Sequence, residues 1–181
     1  MRELRSRVRL LAAVLALGTW PGPPALAQPA GATQLDVPLV RQSRERCGQA
    51  ALEMVLRYYG ADAGALREGD LAYDPALRGS LITDLASAAQ RAGYHAVVAT
   101  LTPDSLVTLI AAGVPPILLY QNGRLMLTVR HFGVVTGWDP AGARFTLHDG
   151  GAQPRTMSRG DLAKRWRTAG SQALIVTRRA P

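Results

Sequence analysis

Cysteine is almost absent from the sequence, which has 181 residues and a single Cys at position 47. One thiol cannot form an internal disulfide, so the fold cannot depend on one. The paired CxxC and HExxH spacings of many metal sites are also missing, and this disfavours a metal enzyme. A metal centre built from Cys47, His131 and Asp149 is therefore a remote alternative, and we expect neither a metal nor a cofactor.

The sequence is also poor in aromatic residues and in long apolar runs. Aromatic residues make up 6% of the chain, and although the formal net charge is +8, the arginines are scattered in small groups. Nucleic-acid-binding surfaces combine clustered positive charge with stacking aromatics, so we expect no nucleic-acid partner. After the N-terminal region no apolar run approaches the ~20 residues that a spanning helix needs, so we expect no membrane span in the mature chain.

Residues 1–27 have the layout of a secretory signal peptide. Four arginines precede the short apolar run Leu10–Leu17, and Ala25–Ala27 has the small-x-small pattern of a cleavage site. An N-terminal membrane anchor is the alternative, but the apolar run is only about half the required ~20 residues. We expect a mature protein that begins near Gln28 in the periplasm or outside the cell. Residues 28–36 would form a flexible leader, and 37–181 a single domain.

The pattern of apolar residues places helices first and strands later. Four helices are predicted, from Cys47 to a stop at Gly60, over 82–92, over 103–112 and over 158–166, with an irregular stretch over 61–79. Strands are predicted over 94–101, 114–120, 131–138, 144–149 and 173–177, with a tight turn at 122–123. This order indicates an α+β fold in which the N-terminal helices pack on an antiparallel sheet.

Cys47 stands in the first turn of the first predicted helix and is followed by Gly48. Free backbone N–H groups and the positive end of the helix dipole stabilise a thiolate at such a position, and Arg44 and Arg46 add positive charge. Such surroundings lower a thiol pKa from about 8.5 into the range ~3.5–7.5. The alternative is a small buried hydrophobic residue, which is the commoner role of cysteine.

A thiol nucleophile needs a base, which is usually histidine, and the chain has three: His95, His131 and His148. His131 opens an apolar strand and is the best candidate. His95 lies in the middle of a strand, where it would serve packing or the surface. His148 points to the opposite face of its strand from Asp149.

Asp149 is the candidate residue for orienting the His131 ring. A hairpin turn centred near residue 140 would bring Asp149 directly opposite His131, with ~5 Å between the Cβ atoms. A one-residue slip in register would break this pairing. The run Asp149-Gly150-Gly151 is explained equally well as a turn after a strand.

Gln42 is the candidate donor to an oxyanion. It lies five residues before Cys47, and its side-chain amide together with the Cys47 N–H can hold the developing negative charge of an attacked carbonyl. Considered alone, Gln42 is more simply an ordinary surface residue.

Three segments together resemble one family. Residues 37–60, VPLVRQSRERCGQAALEMVLRYYG, resemble the nucleophile block of the bacteriocin-processing, double-glycine leader peptidases, which are papain-like cysteine peptidases. RHFGVVTGWD resembles the histidine block, and LHDGGAQPRTMSRGDLAKRW the aspartate block. The resemblance covers nearly the whole mature chain. It implies a papain-like fold, a peptide or protein substrate, and a mechanism with Cys47 as nucleophile, His131 as base, Asp149 as orienter and Gln42 as oxyanion donor.

The chain departs from that family in three ways. Gln42 is one residue closer to Cys47 than usual, Gly150 follows Asp149 where the family often has proline, and the exported domain carries no transporter. We therefore expect an exported cysteine peptidase, or an acyl transferase that uses the same residues. The alternative is a peptidase-like module that binds a peptide or an envelope protein without cutting it.

Overall fold

The computed structural model describes residues 31–43, 45–124 and 127–179, so the expected signal peptide lies outside the described residues. The helices are α1 (Cys47–Tyr58), α2 (Ala63–Asp70), α3 (Ile82–Arg91), α4 (Pro103–Ala111) and α5 (Arg159–Arg167). The strands are β1 (Thr33–Gln34), β2 (Tyr94–Thr100), β3 (Ile117–Arg124), β4 (Leu127–Asp139), β5 (Arg144–His148), β6 (Arg155–Ser158) and β7 (Gln172–Arg178). None of the helices in the described ranges is long and apolar enough to cross a bilayer.

The strands form one antiparallel sheet in the order β2-β7-β3-β4-β5-β6, with β1 added to β4. The four predicted helices are confirmed within one to three residues at their ends, and the predicted strands are all present. Two of the predicted helices begin where a side chain accepts a hydrogen bond from their first turn. Thr102 accepts from Ser105 N at the start of α4, and Ser158 accepts from Asp161 N at the start of α5, satisfying N–H groups that lack helical partners.

The sheet lies between two apolar cores. Side chains alternate along each strand, so neighbours on β4 belong to different cores. Val134 packs with Val55 of α1 and Leu85 of α3, whereas Val135 packs with Trp166 of α5. Helix α1 is thereby pressed against one face of the sheet, with its N-terminus directed toward β4.

The expectation of an irregular stretch over 61–79 is wrong in part, because residues 63–70 form α2. Asp62 starts this helix by accepting a hydrogen bond from Ala65 N at 2.8 Å, and the helix packs against α1 and α3. Its sequence contains two glycines and no clear apolar stripe. The contacts with α1 and α3 and the Asp62 cap therefore stabilise a helix that its local sequence alone does not favour.

The predicted tight turn at Asn122–Gly123 is also wrong, since β3 continues to Arg124 and these two residues pair with β4. Two arginines hold the extended strand. Arg155 Nη1 donates to Asn122 Oδ1 at 2.8 Å, and Arg165 Nη1 donates to the Gly123 carbonyl at 3.0 Å. Both arginines are distant in sequence from this dipeptide, so a prediction from the local sequence cannot include their contacts.

Part of the expected flexible leader is ordered in the sheet. β1 pairs with Gly137 and Trp138, and Leu35 N donates to the Thr136 carbonyl at 2.7 Å. Glycine eases this close approach, because a Cβ atom at position 137 would lie only 3.1 Å from the Thr33 carbonyl oxygen. The ordered part of the chain thus begins before residue 37.

Candidate active site

The turn before α1 places Cys47 at the helix N-terminus. Arg46 N donates to the Ser43 carbonyl at 3.2 Å, and Glu45 has φ +67°, a left-handed conformation that is costly for a non-glycine residue. Ion pairing with Arg78 and a hydrogen bond from Tyr73 hold the Glu45 carboxylate. The thiol therefore opens α1 as predicted, at the end of a turn fixed by tertiary contacts.

Gly48 lets a second segment approach the first turn of α1. A Cβ atom there would lie 3.1 Å from Ser80 Oγ and 3.2 Å from Leu85 Cδ1. The next residue, Gln49, donates from Nε2 to the same Ser80 oxygen at 2.8 Å. A side chain at position 48 would displace Ser80 and Leu85 from the first turn of α1. Close packing therefore explains why glycine follows Cys47.

Cys47 and His131 lie together, and each favours the charged form of the other. Burial raises the pKa of the Cys47 thiol, but the hydrogen bond to His131, the backbone N–H of Phe132 and the charge of His131 outweigh it and lower the pKa. Burial lowers the pKa of His131, but the hydrogen bond and charge of Cys47 and the Asp149 carbonyl raise it overall. The two shifts favour a thiolate–imidazolium pair, which is an activated nucleophile beside its base.

The positive charge of Arg46, which the sequence predicts beside the thiol, is directed at other residues. The Arg46 guanidinium lies 3.7 Å from the Asp70 carboxylate and 4.7 Å from the centre of the Tyr73 ring. Arg44 lies outside the described residues. His131 and backbone N–H groups, rather than Arg46, thus lower the pKa of Cys47.

Asp149 contacts His131 with its main chain. The Asp149 carbonyl lies 2.9 Å from His131 Nε2. In contrast, the carboxylate is 3.4 Å from each of three groups, the Tyr120 hydroxyl, Gly151 N and Arg155 Nη1. The structure therefore brings Asp149 to the His131 ring, but by the carbonyl rather than by the side chain that sequence reasoning used.

The register of the β4–β5 hairpin explains this difference. Val134 pairs with His148, and the register shifts between Val135 and Gly137. Position 149 consequently lies beside Gly133, where an added Cβ would sit 3.5 Å from Asp149 Cβ. The expected pairing of Asp149 directly with His131 is thus off by two residues. A shift of two keeps the same face of the sheet, and so Asp149 still reaches the histidine diagonally.

Tyr120, Asn122 and Arg155 are neighbours of the site that the sequence analysis missed. Tyr120 pairs opposite His131 in the sheet, and the two rings meet edge to face with centroids 5.8 Å apart. Burial and the Asp149 charge raise the pKa of Tyr120, which keeps its hydroxyl protonated. The cross-strand pairing is a signal that could have identified Tyr120, but nothing local distinguishes Asn122 or Arg155.

Gln42 reaches the site despite its short spacing from Cys47. Gln42 N donates to the Gly150 carbonyl at 3.1 Å, and its side chain packs so closely that a Cβ at position 150 would lie 2.7 Å from Gln42 Cγ. Gly150 has φ +76°, whereas proline is fixed near ~−65°. The glycine that departs from the family pattern is therefore the residue that accommodates Gln42.

A cavity of about 710 Å³ opens beside Cys47 and His131. Gln42, Cys47 and His131 line this cavity. Three exposed apolar residues line it as well, Leu77 at 54%, Leu81 at 52% and Val129 at 64% exposure. Large apolar side chains left exposed around one cleft indicate a binding surface, and here they border the thiol.

The other histidines lie elsewhere. His95 is on β2, paired with Thr177, and His148 is a buried residue whose Nδ1 has no hydrogen-bond partner among the described residues. Neither lines the cavity. In the ranges that the structure describes, no three His, Cys, Asp or Glu side chains are grouped to hold a metal ion. A more open concavity of about 780 Å³ near Tyr94 and Arg178 contains none of the candidate catalytic residues.

Solved structures similar to this chain are papain-like peptidases. A double-glycine-motif protease from an AMS/PCAT transporter, in complex with the leader peptide, is 20% identical with a TM-score of 0.64, over 81% of this chain and 95% of that one. A C39-like peptidase from Bacillus anthracis is 17% identical with a TM-score of 0.67, over 83% and 99%. Xylellain, a cysteine protease from Xylella fastidiosa, is 11% identical with a TM-score of 0.59, over 85% and 88%. The papain-like fold is thereby confirmed.

The family itself is shown by sequence. No curated protein matched the chain, but residues 34–174 match the profile described as the Peptidase_C39 like family. That range contains Gln42, Cys47, His131 and Asp149. The chain therefore belongs to the Peptidase_C39 like family and is, by family and fold, a cysteine peptidase-like hydrolase.

Proposed function

We propose that this protein is an active, exported cysteine peptidase that cleaves peptides with Cys47 as nucleophile and His131 as general base and acid. The observation that carries the proposal is the hydrogen-bonded Cys47–His131 pair at the start of α1, with the thiol pKa lowered and the imidazole pKa raised. Shifts in these directions favour the thiolate and the imidazolium, the states that covalent catalysis by a thiolate requires.

The geometry supports a two-stage mechanism. The Cys47 thiolate attacks the carbonyl carbon of the scissile bond, and the resulting oxyanion is held by the Gln42 amide and the Cys47 N–H. The His131 imidazolium then gives its proton to the departing amine, leaving a thioester on Cys47. His131 next takes a proton from water, which attacks the thioester, releases the carboxylate product and restores the thiolate–imidazolium pair.

A peptide is the substrate class that the cleft supports. Leu77, Leu81 and Val129 offer apolar contacts beside the thiol, which suits side chains flanking a scissile bond. The similar transporter protease was solved with its leader peptide bound. The secretory pattern over residues 1–27 supports a periplasmic or secreted location, where an envelope protein is a candidate substrate or partner.

The test of activity is covalent labelling of the mature protein, residues 28–181, with a peptidyl epoxide directed at cysteine peptidases. We expect one adduct per chain at Cys47, competition by peptides, and no labelling of Cys47→Ala. His131→Ala should label at least ~100-fold more slowly, in line with the usual contribution of a general base. Labelling at the same rate without His131 would count against a peptidase mechanism.

Export is tested separately by expressing the full chain in a Gram-negative host. We expect a periplasmic or secreted protein whose N-terminus, read by mass spectrometry, lies at or near Gln28. A chain that retains Met1 in the membrane fraction would indicate an anchor instead of a cleaved signal.

One observation favours a second candidate, a peptidase-like module that binds peptides without cutting them. The Asp149 carboxylate contacts Tyr120 and Arg155 instead of the His131 ring. Peptide binding by both the wild type and Cys47→Ala, without labelling or hydrolysis, would support this candidate. Release of an amide instead of an acid when an amine is added would identify acyl transfer by the same residues.

A further inference from the structure

A polar network anchors Asp149 on the side away from the thiol. Arg155, on β6, donates from Nη1 to Asn122 Oδ1 at 2.8 Å and lies 3.4 Å from the Asp149 carboxylate. The Tyr120 hydroxyl donates to that carboxylate at 3.4 Å. The network thus joins β3, β6 and the loop after β5 around one carboxylate.

The Asp149 carboxylate depends on these partners. Its side chain is only 13% exposed, and a carboxylate removed from water needs a positive or hydrogen-bonding partner. Arg155 is the cation that contacts it. Without Arg155 the carboxylate would keep only the long hydrogen bonds from Tyr120 and Gly151 N, and the conformation of residue 149 would be held less firmly.

The orientation of residue 149 determines which of its groups forms the hydrogen bond with the His131 ring. A carbonyl can only accept, so a hydrogen bond between the Asp149 carbonyl and His131 Nε2 requires the proton on Nε2. The other ring nitrogen, Nδ1, is then left for the Cys47 thiol. The rings of Tyr120 and His131 meet edge to face, and this contact restricts rotation of the imidazole. The carbonyl therefore performs the orienting task that sequence reasoning gave to the carboxylate.

We propose that Arg155 is a positioning residue for the catalytic pair, holding the Asp149 carboxylate so that the Asp149 carbonyl faces His131 Nε2. The inference rests on the proposed peptidase function, because it concerns the same histidine. Arg155 does not touch the reacting atoms and acts through Asp149.

Removing Arg155 has two opposite effects on the His131 imidazolium. Loss of a nearby positive charge would raise the pKa of His131. Loss of the carbonyl hydrogen bond, which stabilises the protonated ring, would lower it. The positioning role predicts that the second effect is larger, so the sign of the change distinguishes position from charge.

The experiment follows the ring signals of the three histidines by NMR as a function of pH, with His131 assigned from His131→Ala. The variant is Arg155→Met, and the matched control is Arg165→Met, whose Nη1 donates to the carbonyls of Gln121 and Gly123 on β3. Each variant loses one cation that contacts β3. We expect Arg155→Met to lower the His131 pKa by roughly one unit, a tenfold change in the protonation equilibrium, and to slow Cys47 alkylation at neutral pH. Arg165→Met should leave both near their wild-type values.

A raised or unchanged His131 pKa in Arg155→Met, or an equal fall in Arg165→Met, would overturn the inference. If Arg155→Met does not fold, Arg155→Lys distinguishes positioning from a charge effect, because lysine keeps the charge but is shorter and lacks the planar guanidinium. Positioning predicts a lowered His131 pKa for it, and a charge effect predicts the wild-type value. The proposed peptidase function fails on a different result. It is contradicted if the pKa of Cys47 in the wild type is that of an ordinary thiol and does not change in His131→Ala.

Discussion

At the residue scale, the thiol and the imidazole lie on elements that are distant in sequence, and each changes the other's pKa. The burial of Cys47 opposes ionisation, yet the contacts with His131 and two backbone N–H groups reverse the balance. The position of the thiol at a helix N-terminus, which the sequence predicts, is therefore only part of the cause. The imidazole supplies contributions that only the folded chain can provide.

The dependence of the thiol on His131 is measurable as a pH profile of alkylation. We expect the wild-type rate to reach its plateau below the ordinary thiol pKa of about 8.5. In His131→Ala the pKa should rise above that ordinary value, because burial, which disfavours the thiolate, remains after its main compensating partner is removed. Iodoacetamide rates between pH 5 and 10 provide the measurement, with His95→Ala as control. Superimposable profiles for the wild type and His131→Ala would disprove the coupling.

Gly150 is predicted to matter for activity more than for stability. Its φ of +76° is unfavourable for alanine, and a Cβ there would collide with Gln42. Gly170 has φ +88°, and a Cβ atom there would lie 3.8 Å from Gln172 Cγ, so alanine at position 170 would meet the same backbone strain without a collision. We expect Gly150→Ala and Gly170→Ala each to lose about 1–2 kcal/mol of unfolding free energy. Only Gly150→Ala should also lose kcat, by displacing the Gln42 amide. Equal activities at matched folded fractions would argue against Gln42 as a donor.

At the element scale, the sequence predicts what depends on local patterns and fails where distant residues decide. Helix α4 follows from Thr102 and Pro103, and α5 from Ser158, because a cap and a proline act within one turn. The Asn122–Gly123 turn fails because two arginines hold the strand extended. Likewise the two-residue error at Asp149 arises because the hairpin turn between Asp139 and Arg144 is centred beyond the expected residue 140, and the register shift in β4 corrects only part of this displacement.

The loop over residues 74–81, which we call the cleft wall, is predicted to control substrate binding. Asp74 and Gly79 form an isolated bridge, and Arg78, with φ +50°, donates from Nε to Glu45 Oε1 at 3.0 Å. This contact joins the cleft wall to the turn before Cys47. Because the side chain of Arg78 is exposed, we expect the pair to add little stability and to act instead on the position of the segment that carries Leu77 and Leu81.

Arg78→Ala should therefore raise KM for a peptide several-fold while changing kcat and thermal stability little. Arg91→Ala is the matched control, since it removes a comparably exposed pair with Glu68 between α2 and α3, away from the cavity. Steady-state kinetics on one fluorogenic peptide measure both variants. A fall in kcat with unchanged KM would instead assign the Glu45–Arg78 pair to the positioning of Cys47.

At the scale of the whole molecule, the sheet contributes to both apolar cores and also carries residues of the candidate site. Each of its faces is covered by helices, and the residues of the site come from the N-terminus of α1, from β3 and β4, and from the loop after β5. The fold class and the residues that converge were predictable from the order of the motifs. The contact of the Asp149 carbonyl with His131 was not predictable, because it depends on the register of the assembled sheet.

The burial of one histidine in the sheet predicts a loss of stability in acid. His148 is buried on β5, and burial lowers its pKa, an effect that the nearby Asp149 charge only partly offsets. A histidine whose pKa is lower in the folded than in the unfolded chain binds its proton mainly after unfolding. Its contribution to stability is therefore complete above the unfolded pKa near ~6.5 and is lost as the pH falls toward the folded value. We expect the unfolding free energy, from urea titrations between pH 7.5 and 4.5, to fall less steeply in His148→Leu than in the wild type. His95→Leu, at an exposed position of β2, should retain the wild-type slope, and identical slopes in all three proteins would show that His148 is not the source.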